Sequence, residues 1–469
     1  MLSKIRVITL LRLSSCTFLK RTIANKGYKS EIDKMIFYFC NMNKKVAFYT
    51  LGCKLNFSET STIGRQLSVG GFEKTDFNKE ADLYIINTCS VTENANRECR
   101  RIIRKAKKIA PDSRVIVTGC YAQLKPAAIA EIEGVDMVLG ANEKFNIPKL
   151  LSSNTKEEKI HGCEIENLDY HSSFSLNDRT RSFLKIQDGC NYPCTYCTIP
   201  LARGRSRCDS IKNIIKNANE IAKNGIKEIV LTGVNIGEFE DKNDGRNFEA
   251  LINELEKVEG IERYRISSIE PNLITTGIIS FVKQSEKFMP HFHIPMQSGS
   301  DAILGKMKRR YNTKLYRKKI NIITKSIPDV CIGADVIVGF PNETEEEFNK
   351  TLRFIKDLPI SYLHVFSYSE RENTEAIHFS GVVSKQKRAE RSKKLRILSK
   401  KLQRKFYQNY LDTEQTALFE KENREGFLYG FTDNYIRVKI PFSEEFLQQE
   451  LKIKLLSFDE NTNLLSKVI

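Results

Sequence analysis

The stretch Cys190-Asn-Tyr-Pro-Cys194-Thr-Tyr-Cys197 decides how this chain is read. Three cysteines at C-x3-C-x2-C spacing can hold three irons of a four-iron cluster and leave the fourth iron without a protein ligand, whereas electron-transfer clusters are capped by four cysteines. An iron left open in this way can bind a small molecule. The competing reading is a structural zinc knuckle, although zinc sites usually set one C-x2–4-C pair against a second pair at a distance. The apolar run Phe183–Ile186 precedes the loop, so the cysteines leave the end of a strand.

Working outward, residues 182–369 carry six strand candidates separated by helical segments: Phe183–Ile186, Ile229–Leu231, Tyr264–Ser267, His291–Ile294, Asp335–Val338 and Leu363–Phe366. Six βα units of this size make a partial parallel barrel, (β/α)6, whose chemistry sits at the carboxyl-end loops. Cys208 and Cys331 lie outside the motif and read as structural.

Upstream, residues 44–150 alternate apolar runs with amphipathic segments. Val46–Thr50, Leu83–Ile86, Val115–Val117 and Val135–Leu139 are the strand candidates; Ser58–Val69 and Asn96–Ala110 are the helices, stopped by Gly70-Gly71 and Pro111. Such strands belong to a parallel sheet covered on both faces, giving an α/β fold. Cys53 follows the first strand in Thr-Leu-Gly-Cys-Lys-Leu-Asn, Cys89 the second in Asn-Thr-Cys, and Cys120 the third in Thr-Gly-Cys. Open α/β sheets bind ligands beyond the carboxyl ends of their strands. One cysteine there is usually a small core residue; three at the same topological place make a second cluster site. Cys99, on the following helix, reads as structural.

Downstream, Lys385–Lys405 holds eleven Lys or Arg and one acid, Glu390, with a narrow apolar stripe of Leu395, Ile397, Leu398 and Leu402. That is a helix with a basic face. Ala417–Phe419, Tyr435–Val438 and Leu451–Leu455 then alternate apolar and polar residues between turn signals, which predicts a small antiparallel β-barrel.

The chain has 469 residues, enough for several domains, with 41% hydrophobic and 28% charged residues and no apolar run of membrane-spanning length. A formal charge of +17 favours a polyanionic partner, most simply nucleic acid, over a generically lysine-rich surface. Twelve cysteines are too sparse for a disulfide scaffold and suit a reducing, cytosolic compartment. Residues 1–41 are basic and acid-poor at first, like a transit peptide or weak signal; a start near Met42 is the plainer expectation, and 1–41 is set aside as an extension.

With these motifs in view, the chain resembles the radical S-adenosylmethionine (SAM) methylthiotransferases over nearly everything from Met42 onward. Two cysteine triplets in this order carry the likeness. The resemblance implies a cluster-bearing domain at 44–150, a radical-SAM core at 176–406 and a TRAM RNA-binding barrel at 409–469. It implies two [4Fe-4S] clusters, one on Cys190, Cys194 and Cys197 and an auxiliary one on Cys53, Cys89 and Cys120. SAM, bound at the first cluster and cleaved there by one electron, would supply a radical for hydrogen abstraction from unactivated carbon.

Gly-Cys-Lys-Leu-Asn, Ala202-Arg-Gly204, Leu363-His-Val-Phe366 and Asp433-Asn-Tyr435 resemble the branch acting at C2 of N6-threonylcarbamoyladenosine 37 of tRNA. Branches acting on isopentenyladenosine or on a ribosomal-protein aspartate have Gly-Cys-Gln-Met-Asn and Gly-Cys-Pro-Lys-Asn instead. Ser369-Glu-Arg-Glu-Asn-Thr departs from the family's Arg-x-Gly-Thr-Pro-Ala. By the same resemblance, Tyr196, Thr232, Gly233, Glu270, Gln297, Ser298 and Gly339 are the SAM contacts, against an alternative in which each is an ordinary loop residue. Partners implied are the tRNA anticodon stem-loop and a flavodoxin- or ferredoxin-type electron donor, with no membrane. The contrasting function is a non-catalytic iron–sulfur or zinc RNA-binding protein.

Overall fold

Continuous apolar runs become strands of one parallel sheet because both of their faces are buried. The structure is a computed structural model that describes Tyr38 and residues 43–90, 93–152, 158–162, 164–165 and 168–469. The expectation for residues 1–41 lies, Tyr38 aside, outside the described residues. Two units are distinguished: the chain up to Leu51 with Thr62–Cys89 and Asn96–Glu164, and Gly52–Ser61 with Ser90–Ala95 and Ile165–Ile469.

The first sheet is built from β1 (Lys45–Thr50), helix α1 (Lys54–Val69), β2 (Glu73–Thr75), β3 (Leu83–Thr88), helix α2 (Glu93–Ile109), β4 (Arg114–Gly119), β5 (Met137–Leu139) and β6 (Ile160–His161). The strand order is β2-β1-β3-β4-β5-β6, every pair parallel. Alternate residues feed two cores. Ala47, Tyr84, Ile86 and Val117 meet Cys99, Ile102, Ile103 and Ala106 of α2; Val46, Leu83, Ile85 and Ile116 meet Ile63 and Leu67. Burial pushes the Cys99 thiol up to about 12, so this cysteine is a core residue. Helix α1 starts at Lys54 rather than Ser58, because Phe57 N–H already donates to the Cys53 carbonyl at 3.2 Å. The edge strands β2 and β6 are three and two residues long, too short to leave a periodic signal.

The second unit contains β7 (Arg181–Lys185), the paired segments β8 (Gln187–Asp188) and β9 (Arg207–Cys208), then α3 (Ile211–Lys223), β10 (Glu228–Thr232), α4 (Phe248–Glu256), β11 (Arg263–Ile266), α5 (Thr276–Gln284), β12 (His291–His293), α6 (Thr313–Ser326), β13 (Cys331–Val338), α7 (Glu345–Lys356) and β14 (Tyr362–Ser367). Two parallel sheets, β11-β10-β7 and β12-β13-β14, are joined by parallel bridges from Tyr264 to Phe288 and from Ser268 to His293. The six barrel strands therefore run in chain order as a partial barrel.

One alternate set of strand residues (Leu184, Ile229, Leu231, Tyr264, Ile266, Phe292, Ile332 and Val336) packs into the large core beneath the helices. The other set faces the lumen and is polar: Arg181, Lys185, Glu228, Arg263, Arg265, His291, His293, Asp335 and His364. Cys208 and Cys331 are buried, with thiols pushed up to about 12 by that burial, as structural cysteines should be.

Helix α8 (Lys385–Gln408) follows, capped by the Ser384 side chain. Its basic face is not wholly free. Arg391 is buried and donates to Glu343 at 2.8 Å; Arg388 is buried and donates to the Tyr368 carbonyl at 3.0 Å and to Glu370. The helix with a basic face is as expected, but these two of its arginines are buried in it. The chain ends in a closed barrel of β15 (Glu414–Phe419), β16 (Phe427–Thr432), β17 (Arg437–Pro441), β18 (Glu450–Phe458) and β19 (Leu464–Val468), ordered β15-β16-β17-β19-β18. All its pairings are antiparallel except β17 with β19. Tyr435, expected in a strand, is instead in a tight turn at φ 66°.

That turn seats on the amino ends of the barrel strands. Arg263 and Arg265 each donate Nε–H to Glu228 at 2.9 Å. Arg265 also donates to the carbonyls of Thr432 (2.8 Å) and Asp433 (2.9 Å). Tyr435 stacks on His291 with ring centroids 4.1 Å apart.

Candidate active site

The loop after β7 gathers Cys190, Cys194 and Cys197, all half-buried, at the carboxyl edge of the partial barrel. Its backbone is aimed at the sulfurs: Tyr192 N–H donates to Cys190 Sγ and Ile199 N–H to Cys197 Sγ, both at 3.4 Å. The Arg309 guanidinium donates to Cys194 Sγ at 3.0 Å and to the Tyr196 hydroxyl at 3.3 Å. Burial pushes the Cys190 and Cys197 thiols up to about 12 and raises Cys194, which Arg309 partly opposes. Left to themselves these are inert protonated thiols; a bound metal deprotonates its thiols outright. Three convergent sulfurs with charge-stabilising donors behind them fit an iron–sulfur cluster.

Beside this loop lies a cavity of about 240 Å³ lined by Tyr196, Cys197, Gln297, Asp335, Ile337 and Phe366–Ser369 among others. Of the sequence-predicted SAM contacts, Tyr196 and Gln297 line it. Gln297 is held at φ 61°, its N–H given to the Asp335 carbonyl at 2.8 Å. The others are placed differently. Thr232 commits its hydroxyl to the Val230 carbonyl, and the turn after it is held by Gln187 Oε1, which accepts from Val234 and Asn235 N–H at 2.8 and 2.9 Å. Gly233 is packed so closely that a Cβ would lie 2.7 Å from Ile236. Ser298 is fully buried and within hydrogen-bond distance of Thr351 at 3.2 Å, away from the cavity lining. Gly339, at φ 74°, leaves room for Arg388 and gives its N–H to Glu343 at 2.6 Å. Glu270 pairs with Arg309; burial raises its carboxyl and Arg309 only partly opposes this.

Sequence reasoning missed Arg309, because Lys308-Arg309-Arg310 looks like any solvated basic run. It also missed the lumenal group His293, Asp335 and His364. Asp335 Oδ1 lies 2.8 Å from His293 Nε2 and 3.3 Å from His364 Nδ1. Burial alone would raise the Asp335 carboxyl; the two histidines outweigh it and hold it well below the usual range. The available signal was a polar residue at alternate positions of otherwise apolar strands.

In the first unit, β1, β3 and β4 are neighbouring parallel strands, and Cys89 and Cys120 follow the carboxyl ends of β3 and β4; Cys53 follows β1 in the chain and falls in the second unit. Cys53 is exposed; Cys89 and Cys120 are buried. The glycine before Cys120 is required: Gly119 sits at φ 95°, where a Cβ would lie 2.3 Å from the Thr88 carbonyl oxygen. Thr88 in turn donates to the Thr118 carbonyl at 2.6 Å and accepts from Ala122 N–H at 3.2 Å, interlocking the two cysteine turns. No helix among the described residues is long and apolar enough to cross a membrane.

Residues 45–140 match an uncharacterized protein family, UPF0004, and residues 184–355 match the Radical SAM superfamily. The chain is 40% identical over 424 residues to the threonylcarbamoyladenosine tRNA methylthiotransferase MtaB of Bacillus subtilis (strain 168), covering 88% of this chain and 93% of that protein. It is 33% identical over 406 residues to the tRNA-2-methylthio-N(6)-dimethylallyladenosine synthase of Clostridium tetani, covering 83% and 89%. Among solved structures it is similar to the radical SAM methyltransferase TsrM from Kitasatospora setae, with TM-score 0.51, 12% identity and coverage of 72% and 77%, a likeness of fold alone.

Proposed function

The chain belongs to the radical-SAM methylthiotransferases of the MtaB type, which act on threonylcarbamoyladenosine in tRNA, and from that premise we propose how its residues divide the reaction. It methylthiolates C2 of N6-threonylcarbamoyladenosine 37 and uses SAM with an iron–sulfur cluster. Cys190, Cys194 and Cys197 hold that cluster; the observation that carries this is the set of donors aimed at Cys190, Cys194 and Cys197 sulfurs. When bound, the cluster and SAM together supply a radical able to abstract hydrogen from a C–H bond that no acid, base or nucleophile opens cheaply.

Tyr196 and Gln297 line the cavity in which SAM would be oriented. Arg309 stabilises negative charge on Cys194 and holds Glu270. Cys53, Cys89 and Cys120 would hold a second, auxiliary four-iron cluster, whose chemistry would be the supply of sulfur. Thr232, Gly233, Ser298 and Gly339, also implied as SAM contacts by the family resemblance, shape the turns at the ends of their strands. A flavodoxin- or ferredoxin-type protein donates electrons, in the cytoplasm.

The test is anaerobic reconstitution followed by mass spectrometry of tRNA nucleosides. The wild-type protein is expected to yield the 2-methylthio derivative of threonylcarbamoyladenosine. Replacing Cys53, Cys89 and Cys120 together by Ala should leave SAM cleavage to 5′-deoxyadenosine and abolish that product. A methylthio product from the triple variant would rule out the second cluster, and a product on dimethylallyladenosine alone would move the chain to the other substrate.

A further inference from the structure

In the second unit Asn56, Glu59, Lys185, Asp188 and Arg203 are all buried, and no role assigned so far uses them. Arg203 is their centre. It closes the short helix Ile199–Arg203, which follows Cys197, and is 3% exposed. Its Nη1 donates to Asp188 Oδ1 at 2.8 Å and to Glu59 Oε1 at 3.1 Å. Its Nη2 donates to Asn56 Oδ1 at 2.5 Å and to Glu59 Oε2 at 3.3 Å. Lys185 lies 3.6 Å from Glu59 and 3.4 Å from Asp188. Such a buried ion network adds little stability over an apolar core, yet losing one member is costly. Its use must lie in the arrangement it holds.

That arrangement joins two cysteine-bearing segments. Asp188 stands two residues before Cys190 and accepts from Gly189 N–H at 2.9 Å; Gly204, next to Arg203, accepts from Cys190 N–H at 3.1 Å. Asp188 and Arg203 therefore pin the two ends of the Cys190–Cys197 loop. Asn56 and Glu59 are three residues apart on α1 and share one face. They lie in the first turns after Cys53, whose carbonyl accepts from Phe57 N–H at 3.2 Å. Arg203 thus fastens the turn that carries Cys53 to the loop that carries Cys190, Cys194 and Cys197, and both segments belong to one unit. A planar guanidinium fork reaches three acceptors in fixed directions, which an ammonium cannot do.

Resting on the assignment of Cys53 to the auxiliary cluster, we propose that Arg203 is a positioning residue: it fixes the Cys53 turn against the Cys190–Cys197 loop, so that sulfur supply and radical formation are held at a matched distance. Displacing reacting groups by about 1 Å can cost on the order of 100-fold in rate. Loosening this clamp therefore wastes SAM. Cleavage to 5′-deoxyadenosine continues, while the methylthio product formed per cleavage falls.

The experiment uses the full chain as wild type, Arg203→Lys and Asn56→Ala. Arg203→Lys keeps the charge beside Glu59 and Asp188 but loses the fork. Asn56→Ala removes one arm with every charge in place, so it carries the test if Arg203→Lys does not fold. In both variants Phe57, edge-on to Phe183 at 5.6 Å, and Ser58, 3.0 Å from Ser173, still dock α1. Hydrogen exchange of the amides of residues 54–61 is measured on the metal-free chain. Iron content, 5′-deoxyadenosine and methylthio product are measured after anaerobic reconstitution. The variants should show faster exchange over 54–61, wild-type iron, wild-type SAM cleavage and roughly 10- to 100-fold less product per 5′-deoxyadenosine. An unchanged product ratio, or unchanged exchange, overturns the proposal. So does lost iron, or cleavage and product falling together, either of which would make Arg203 a support of the cluster loop. A methylthio product surviving in Cys53→Ala counts against the auxiliary-cluster assignment instead, and the exchange over 54–61 still reports whether Arg203 holds the turn.

Discussion

Arg309 connects three groups that lie far apart in the sequence: the Cys194 sulfur, the Tyr196 hydroxyl and the Glu270 carboxylate. A guanidinium has donors enough for all three at once in a fixed fork, which a lysine lacks. Partners that orient metal ligands typically contribute 10- to 100-fold to affinity or activity. Arg309→Ala should therefore cut the rate of SAM cleavage by about that factor while the three cysteines still hold iron. Because Arg309 acts by positioning, its loss should also shift the cluster's reduction potential and raise the KM for SAM. Lys should restore the charge but only part of the rate. An unchanged potential and KM would reduce Arg309 to a structural partner of Glu270.

At the scale of elements, the seat of the β16–β17 turn on β10, β11 and β12 is an ion cluster built around Glu228. Burial alone would raise this carboxyl; Arg265, Arg263 and Arg181 outweigh it and bring it to about 2, against an ordinary 4.5. The group is therefore charged in the folded state at pH values where it would be protonated in the unfolded chain. Its contribution, roughly 3 kcal/mol, is complete above pH 4.5 and disappears as pH falls toward 2. Glu228→Gln leaves buried arginines without their counter-charge and should cost about 3–5 kcal/mol. Thermal melts should show a large loss of stability at pH 7 and a much smaller one near pH 3. Equal losses at both pH values would mean that hydrogen-bond geometry, not charge, holds the seat. Asp433-Asn-Tyr435, legible only as a sequence marker, is thus a piece of that seat: the Asp433 carbonyl is spent on Arg265 and the Tyr435 ring on His291.

For the molecule as a whole, the charge of +17 divides into structural and free cations. Arg388 and Arg391 are buried in ion pairs and belong to the fold. Lys393, Arg396, Lys400, Lys401 and Lys405 of α8 are exposed, as are Arg97, Arg104 and Lys108 of α2, whereas Arg101 is paired with Glu98. If the exposed residues track the tRNA backbone, each phosphate contact removed should lower the log–log salt dependence of binding by roughly one. Neutralising the α8 set should weaken modified and unmodified tRNA alike, because phosphate contacts position without reading bases. Filter binding across a salt series measures this, and an unchanged slope would return α8 to being a solvated surface.

Two cysteine triplets and the alternation of apolar runs with amphipathic segments were enough, in the sequence alone, to give the parallel sheet, the partial barrel and the terminal β-barrel. Those features are local: cluster-ligand spacing and strand periodicity are written within a few residues. The sequence could not say which polar loop residues face the cavity. Gln297 and Ser298 are neighbours in the chain, yet Gln297 lines the cavity and Ser298 is fully buried beside Thr351. Nor could it single out Arg309 from Arg310 or pair Asp335 with two histidines. Those outcomes depend on contacts across tens to hundreds of residues, where packing of strands and turns, and not local composition, decides which charges meet.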